Sequence, residues 1–156
     1  MMRQKIFDAL LEMKSSSTVK TSALATVNGS VVTWDTGGGY TTAALVVDIV
    51  SLTEAIQATS NQGICIQVRG RASAASSGVD GEVVLASLDL GYNGVDAHGI
   101  GTRKNASVAT PAAGDRYVLP FTNEYCDTIY RYINVRHTFD GTISTGINYT
   151  AFITKL

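Results

Sequence analysis

The stretch TTAALVVDIVSL, residues 41–52, is apolar at both odd and even positions and rich in valine and isoleucine. A run of this kind is typical of a β-strand that is covered on both sides, because a half-exposed strand would alternate apolar with polar residues. The sequence therefore predicts a central strand here, in a protein whose sheets have their faces covered.

The rest of the chain repeats the strand pattern in short segments. In GICIQVRG, residues 63–70, the apolar positions 64, 66 and 68 alternate with Cys65, Gln67 and Arg69, which is the period of a half-buried strand. We expect an all-β fold, an antiparallel β-sandwich of jelly-roll or other Greek-key type. Further strands are predicted at 31–34, 82–90, 116–121, 128–137 and 147–154, and an extended surface loop at 91–114.

The N-terminal residues differ from the rest of the chain. Ile6, Phe7, Leu10 and Leu11 have the i, i+4 spacing of a short amphipathic helix over residues 3–14, although an extended arm with apolar anchors would look the same over so short a segment. We therefore expect an arm or short helix over residues 1–18 and a single β-sandwich domain over residues 19–156.

The composition and net charge of the chain argue against two classes of binding partner, nucleic acids and membranes. The 156 residues carry a formal net charge of −1, and 16% of them are charged against 45% hydrophobic. A general nucleic-acid binder would carry a basic excess, so we expect no nucleic-acid partner. Asp8 and Glu12 interrupt the early apolar run, and no stretch has the length of a membrane span, so we expect neither a secretory signal nor a membrane partner.

Motifs for catalysis or cofactor binding are missing from the sequence. There is no GxSxG elbow, Walker loop or GxGxxG after a strand. His98 and His137 lack a suitable constellation, and Asp96 with His98 would need a third metal ligand. Asp89, Asn93 and Asp96 do not have EF-hand spacing. We expect no enzyme activity, no cofactor and no metal, while carboxylates that meet only in the fold leave a hydrolase open.

Two cysteines, Cys65 and Cys126, lie far apart and outside any CxxC motif. Cysteine is often buried as a small hydrophobic residue. We therefore predict that both are free thiols in the core.

The stretch TIYRYINVRH, residues 128–137, combines tyrosines with arginines. Strand alternation divides these side chains between two faces. The face predicted to point towards the core carries Ile129, Arg131, Ile133, Val135 and His137. The face predicted to make contacts carries Tyr130, Tyr132, Asn134 and Arg136. An inward Arg131 would require a carboxylate or carbonyl partner, or a position at the rim. Tyrosine and arginine are enriched at protein interfaces, and they also stack on single-stranded bases. The acidic balance favours a protein partner, while simple cross-strand packing stays open.

These considerations give a candidate interface without catalytic, cofactor or metal residues. It consists of the apolar residues of the N-terminal segment and three residues of the tyrosine-rich strand: Ile6, Phe7, Leu10, Leu11, Tyr130, Tyr132 and Arg136.

An ordered set of segments in the C-terminal half resembles the jelly-roll capsid cement or decoration proteins of tailed bacteriophages. The segments are Gly114-Asp115-Arg116-Tyr117, Pro120, YRYINV at 130–135 and GTISTGINYTAFIT at 141–154, and the resemblance spans roughly residues 42–156. It implies a non-enzymatic structural virion protein, made in the host cytoplasm, that binds the major capsid protein on the capsid exterior as a homodimer or homotrimer.

A second hypothesis is a carbohydrate-binding or head-fibre-like β module. Its hallmark would be an exposed aromatic platform on one face, for which Trp34, Tyr40 and Tyr92 are the candidates on the loop side of the sandwich.

Overall fold

The regular structure of the protein is built from β-strands. The computed structural model describes residues 11–52, 63–73, 81–91, 105–108, 111–140 and 146–156. The strands in these ranges are β1 (Glu12–Val19), β2 (Ala23–Leu24), β3 (Thr26–Val27), β4 (Ser30–Val31), β5 (Trp34–Asp35), β6 (Thr42–Leu52), β7 (Gly63–Arg71), β8 (Glu82–Leu90), β9 (Asn105–Val108), β10 (Arg116–Thr122), β11 (Glu124–Tyr125), β12 (Thr128–Ile129), β13 (Tyr132–Asp140) and β14 (Ile147–Lys155).

Two main sheets pack against each other. Sheet A has the strand order β1-β14-β6-β10 and is antiparallel throughout. Sheet B has the order β2-β13-β7-β8-β9, with β5 also paired to β13, and in it β9 runs parallel to β8. The hairpins β3-β4 and β11-β12 complete the described strands. The predicted antiparallel β-sandwich is confirmed, and among the described strands one parallel pair, β8 with β9, is added to it.

The strand pairings are nested along the chain. Strands β7 and β8 form the innermost pair, β6 pairs with β10 outside it, β2 and β5 pair with β13, and β1 pairs with β14. Two further pairings, β14 with β6 and β13 with β7, join these pairs into the two sheets. The nested pairs among the described strands are therefore all antiparallel and are centred on β7 and β8.

The core lies between the inward faces of the two sheets. On β6, Leu45, Val47 and Ile49 face the core, and on β7 the predicted positions Ile64 and Ile66 do so, each with 2% or less of its surface exposed. Valine and isoleucine suit these positions because their branched side chains pack well on a pleated surface. The predicted central strand at 41–52 is β6, which is flanked by β14 and β10.

Near its N terminus the described chain departs from the predicted organisation. Residues 1–10 lie outside the described residues, so the helix or arm remains a prediction there. From Glu12 the chain is strand β1, and Met13 and Lys14 are 1% exposed, so the sandwich begins inside the predicted 1–18 segment. Residues 12–14 form a strand because pairing with β14 satisfies their backbone hydrogen-bonding groups. A helix over the same residues would not make these hydrogen bonds to β14. The predicted 91–114 loop likewise contains β9.

A single buried amide ties three parts of the chain together at one end of the sandwich. Asn123 follows β10 and has no exposed surface. Its Oδ1 accepts from the backbone N–H of Thr41 at 2.8 Å, while its Nδ2 donates to the carbonyls of Gly39 at 2.9 Å and Tyr130 at 3.2 Å. The start of β6, the preceding loop and the approach to β13 are thereby held in one arrangement.

We predict that Asn123→Ala lowers the free energy of unfolding by about 3 kcal/mol, because it leaves buried backbone groups without their partners. Urea unfolding followed by circular dichroism measures this. Asn148→Ala is the matched control: Asn148 is half-buried and accepts from Ser16 at 3.2 Å, so a loss below about 1 kcal/mol is expected. Equal losses in the two variants would contradict the role assigned to Asn123.

Candidate functional site

The predicted interface residues do not share one face. Tyr130 and Arg131 lie between β12 and β13, outside either strand. A Cβ atom built on Gly70 would lie 2.7 Å from the Cβ of Tyr130 and 3.1 Å from the side chain of Leu85, so Tyr130 packs over Gly70 on the core side of sheet B. The prediction that it faces outward with Tyr132 and Arg136 is wrong, because strand alternation begins only at Tyr132.

The same break in the strand explains the positions of Ile129 and Arg131. Ile129 was predicted to face the core but is 42% exposed in the β11-β12 hairpin. Arg131 lies at the surface, where its Nε and Nη2 donate to the two carboxylate oxygens of Asp35 at 2.7 and 2.8 Å. These hydrogen bonds lower the pKa of Asp35 to about 2. The sequence required a carboxylate partner or a rim position for Arg131, and the structure provides both.

The outward face of β13 takes part in a closed polar network. Asn134, predicted to be on the contact face, has no exposed surface, and with its amide oriented to suit the neighbouring donors its oxygen accepts from Arg71 at 3.0 and 3.1 Å. Arg69 donates to Glu82 at 3.0 Å and to Gln67 at 2.6 and 2.9 Å. Partners on β7 and β8 thus occupy the side-chain amide of Asn134, one of the polar groups expected to meet another protein.

Other predicted positions on β13 and at the N terminus are placed as follows. Ile133, Val135 and His137 are buried on the core side, as predicted. Tyr132 and Arg136 are half-buried. The remaining interface candidates belong to the N-terminal segment, where Leu11 packs partly buried against the core while Ile6, Phe7 and Leu10 lie outside the described residues.

An apolar surface that the sequence analysis did not single out lies on the outward face of sheet A. The pairing register aligns Phe152, Val46 and Val118 across β14, β6 and β10, and it aligns Ala44 with Pro120 in the adjacent row. We call these five residues the sheet A patch. Val118 is 56% exposed and Pro120 is also exposed, whereas Val46 and Ala44 are buried at 3% and 0%.

Polar residues border the sheet A patch. In the next row Arg116 donates to both carboxylate oxygens of Asp48, with an Nη2 to Oδ2 distance of 2.7 Å, and Thr150 pairs with Asp48 across the strands. Hydrogen bonding to Asp48 raises the pKa of Arg116 further. An apolar centre with a polar rim is the usual composition of a protein-binding surface.

The sequence did contain a signal for this surface. The segment 41–52 is apolar on both faces, and in 116–121 Val118 and Pro120 stand at the positions that alternate with the inward Leu119 and Phe121. The apolar segment 41–52 predicts a strand that is covered on both sides, but the sequence does not show what its outward residues contact.

A second polar cluster lies inside the sandwich. The Nζ atom of Lys14, on β1, donates to the carbonyl of Tyr149 at 3.1 Å and lies 4.5 Å from the centroid of its ring. The Tyr149 hydroxyl is 3.0 Å from Nδ1 of His137. The imidazole ring of His137 also forms a hydrogen bond with the backbone of Thr21. Since a backbone carbonyl can only accept, the ring donates to Thr21, and Nδ1 accepts from Tyr149. All three side chains are 2% exposed or less.

Burial changes the protonation of this cluster. It lowers the pKa of Lys14 to about 8 and raises that of Tyr149. Burial, and then the positive charges of Lys14 and Arg136, lower the pKa of His137 to about 4. At neutral pH the histidine is therefore neutral, and Lys14 carries most of the charge of the cluster.

Other chemical candidates from the sequence are placed as follows. Cys65 is buried, where desolvation raises the pKa of its thiol, whereas Cys126 is exposed in a hairpin turn, contrary to the prediction of a core role. Trp34 packs partly buried against the core, and the ammonium group of Lys155 lies over its ring. One of the three aromatic rings suggested for a carbohydrate platform is therefore already in contact with other residues of the chain. Tyr40 is 57% exposed, and Tyr92 lies outside the described residues.

Within the part of the chain that the structure describes, no group of three or more histidine, cysteine, aspartate or glutamate side chains is arranged to hold a metal ion. None of the helices searched there is both long and apolar enough to span a membrane. Comparison with protein-family models and with curated proteins gave no match.

We predict that the stability of the protein falls as the pH drops from about 6.5 to about 4. His137 has a lower pKa folded than unfolded, so the unfolded state binds more protons in this window and is favoured by acid. The full shift corresponds to about 3 kcal/mol. Urea unfolding at a series of pH values measures it.

Substituting His137 isolates this effect. His137→Gln retains an amide oxygen that can accept from Tyr149, and it should flatten the pH dependence of the unfolding free energy between pH 4 and 6.5. The assignment to His137 fails if this variant loses as much stability on acidification as the unmodified protein.

Proposed function

We propose that this chain is a non-enzymatic structural component of a virion, a decoration or cement protein that binds the outside of the major capsid shell. The observation that carries the proposal is the sheet A patch. A protein that attaches to a shell needs a stable surface that presents apolar area, and the exposed Val118 and Pro120 on β10 present such area beside the buried Val46 and Ala44 of β6.

The connectivity also supports the resemblance to jelly-roll decoration proteins. A jelly roll is a long antiparallel ribbon rolled into two four-stranded sheets, so its outermost and third pairs share one sheet and the other two pairs share the second. Here the pair of β1 with β14 and the pair of β6 with β10 lie in sheet A. The pair of β7 with β8 and the pairing of β13 with β2 and β5 lie in sheet B. We infer that the sandwich is a jelly roll to which β9 adds one parallel strand.

The residues of β10 favour attachment to the shell through the face of sheet A rather than through its edge. This strand forms one edge of sheet A, and it carries Pro120, which has no backbone N–H to donate to an added strand. The exposed Val118 and Pro120 instead present side-chain surface. A partner that covers them buries apolar area, which is the main favourable term in association.

The N-terminal segment is proposed as a second attachment element. Residues 1–10 include Ile6, Phe7 and Leu10 and lead directly into Leu11 and β1 at the other edge of sheet A. A segment that becomes ordered on a neighbouring capsid subunit covers a large area, at the cost of conformational entropy. Homodimers or homotrimers of the chain would connect several capsid subunits at once and bind more strongly through multivalency.

Val118→Asp should weaken binding to the shell by about tenfold or more, because it places a charge at the most exposed residue of the patch. Its unfolding free energy should change by no more than about 0.5 kcal/mol, since the side chain is 56% exposed. Sedimentation with empty shells, assembled from the major capsid protein encoded in the same genome, measures the binding.

Val31→Asp is the matched control, because Val31 is 48% exposed but lies on β4, in a separate hairpin. It should bind as the unmodified protein does. Undiminished sedimentation of the Val118→Asp variant would refute the role of the patch.

Deleting residues 2–10 should lower retention on the shell without unfolding the domain, since β1 begins at Glu12. Deleting residues 2–14 should in addition lower the melting temperature, because it removes the buried side chains of Met13 and Lys14. Sedimentation and thermal unfolding of both variants separate the two effects. Full shell retention after the shorter deletion would exclude the segment from attachment.

A further inference from the structure

A groove of about 260 Å³ opens where the chain crosses from sheet A to sheet B, between the end of β1 and the start of β2. His137 is one of its lining residues, and the others contribute hydroxyl groups, one ammonium group and apolar side chains, among them Thr18, Lys20, Thr21, Leu24 and Thr26. None of the predicted or proposed roles of the protein uses this groove.

The walls of the groove are fixed by close contacts. Gly146 has a φ of +81°, and a Cβ atom there would collide with the carbonyl oxygen of Val19, so the chain before β14 lies directly against the end of β1. The hydroxyl of Ser22 accepts from the backbone N–H of Phe139 at 2.9 Å, and the N–H of Ala25 donates to Val135 at 2.8 Å. The groove is therefore preformed, which lowers the entropic cost of binding.

The buried ammonium group of Lys14 is connected through Tyr149 to His137, one of the residues that line the groove. The Nζ atom of Lys14 donates to neutral acceptors, which are the carbonyls of Ser15, Ser17 and Tyr149 and the hydroxyl of Ser17, at 2.9 to 3.1 Å. Within the described residues Lys14 forms no ion pair. Tyr149 connects Lys14 to His137, and the charges of Lys14 and Arg136 both act on the histidine.

The lining adds to this positive potential. Lys20 contributes an ammonium group, and no carboxylate is found among the described residues that line the groove. Threonine hydroxyls can donate to an oxygen atom, and charge-assisted hydrogen bonds of this kind are the stronger ones. A ligand with a negative charge on oxygen therefore matches the groove in charge and in hydrogen bonding.

We propose that this groove binds a small oxyanion. The Lys20 ammonium and the hydroxyls of Thr18, Thr21 and Thr26 donate to its oxygens, and the anion supplies the counter-charge that Lys14 lacks. Binding favours the protonated form of His137, so affinity increases as the pH falls towards the range in which this histidine titrates. The site is separate from the sheet A patch, so it does not depend on the proposed role in the capsid.

The test uses the full-length ¹⁵N-labelled protein and inorganic phosphate. Phosphate is titrated against sodium chloride at constant ionic strength, and amide and histidine side-chain signals are followed by NMR. We expect saturable shifts confined to residues 18–26 and 137. Lys20→Gln should raise the dissociation constant about fivefold, the effect of one partly exposed charge pair. Lys155→Gln, at an exposed lysine on β14, is the control and should leave it unchanged.

The outcomes are distinct. Shifts that do not saturate, or that are the same in the Lys20→Gln variant as in the unmodified protein, would overturn the proposal. So would saturable shifts of the same residues with methyl glucoside and none with phosphate, because the groove would then recognise neutral hydroxyl groups. A measured pKa of His137 that does not rise in the presence of phosphate would also contradict the electrostatic argument.

Discussion

The side-chain amide of Asn123 joins segments that belong to different sheets. It binds the residue before β6 of sheet A and the approach to β13 of sheet B. Both β6 and β13 are paired on two sides, and these pairings join the nested strand pairs into two sheets. If this junction moved, both strands would have to change register, and a shift by one residue would turn their apolar faces outward. A polar group without exposed surface thus helps to specify how an otherwise apolar sandwich closes.

Sequence periodicity predicted the regular parts of the fold and was wrong where the strands are interrupted. Alternation assigned Ile64, Ile66 and Val68 to the core correctly because β7 is a continuous strand. The same reasoning failed at Tyr130, because the chain leaves the strand conformation at 130–131, and no residue type there marks the break. The Cys126-Asp127 turn has positive φ at both residues, 48° and 59°, a conformation usually occupied by glycine or asparagine. Tertiary contacts therefore determine what local propensity leaves undecided.

The candidate surfaces were predictable to different degrees. A second apolar face could be deduced from a strand that is apolar on both sides, but the residues that neighbour it required the register of β14, β6 and β10, which depends on pairing between distant segments. The buried chain of Lys14, Tyr149 and His137 left no local pattern, since its members lie on three strands. Lys14 stands in a segment that the sequence assigned to an arm, so its burial followed only from the pairing of β1 with β14.

The nested pairing of strands also has a kinetic consequence. Strands β7 and β8 pair over a short stretch of chain, whereas β1 and β14 bring together residues as far apart as Glu12 and Phe152. Closing such a loop costs entropy before any contact is gained, and proteins rich in distant pairings fold slowly. If the inner pair forms first, each later pair closes a shorter remaining loop. Folding should then proceed outward from the middle of the chain, and the edge that carries β1 should assemble last.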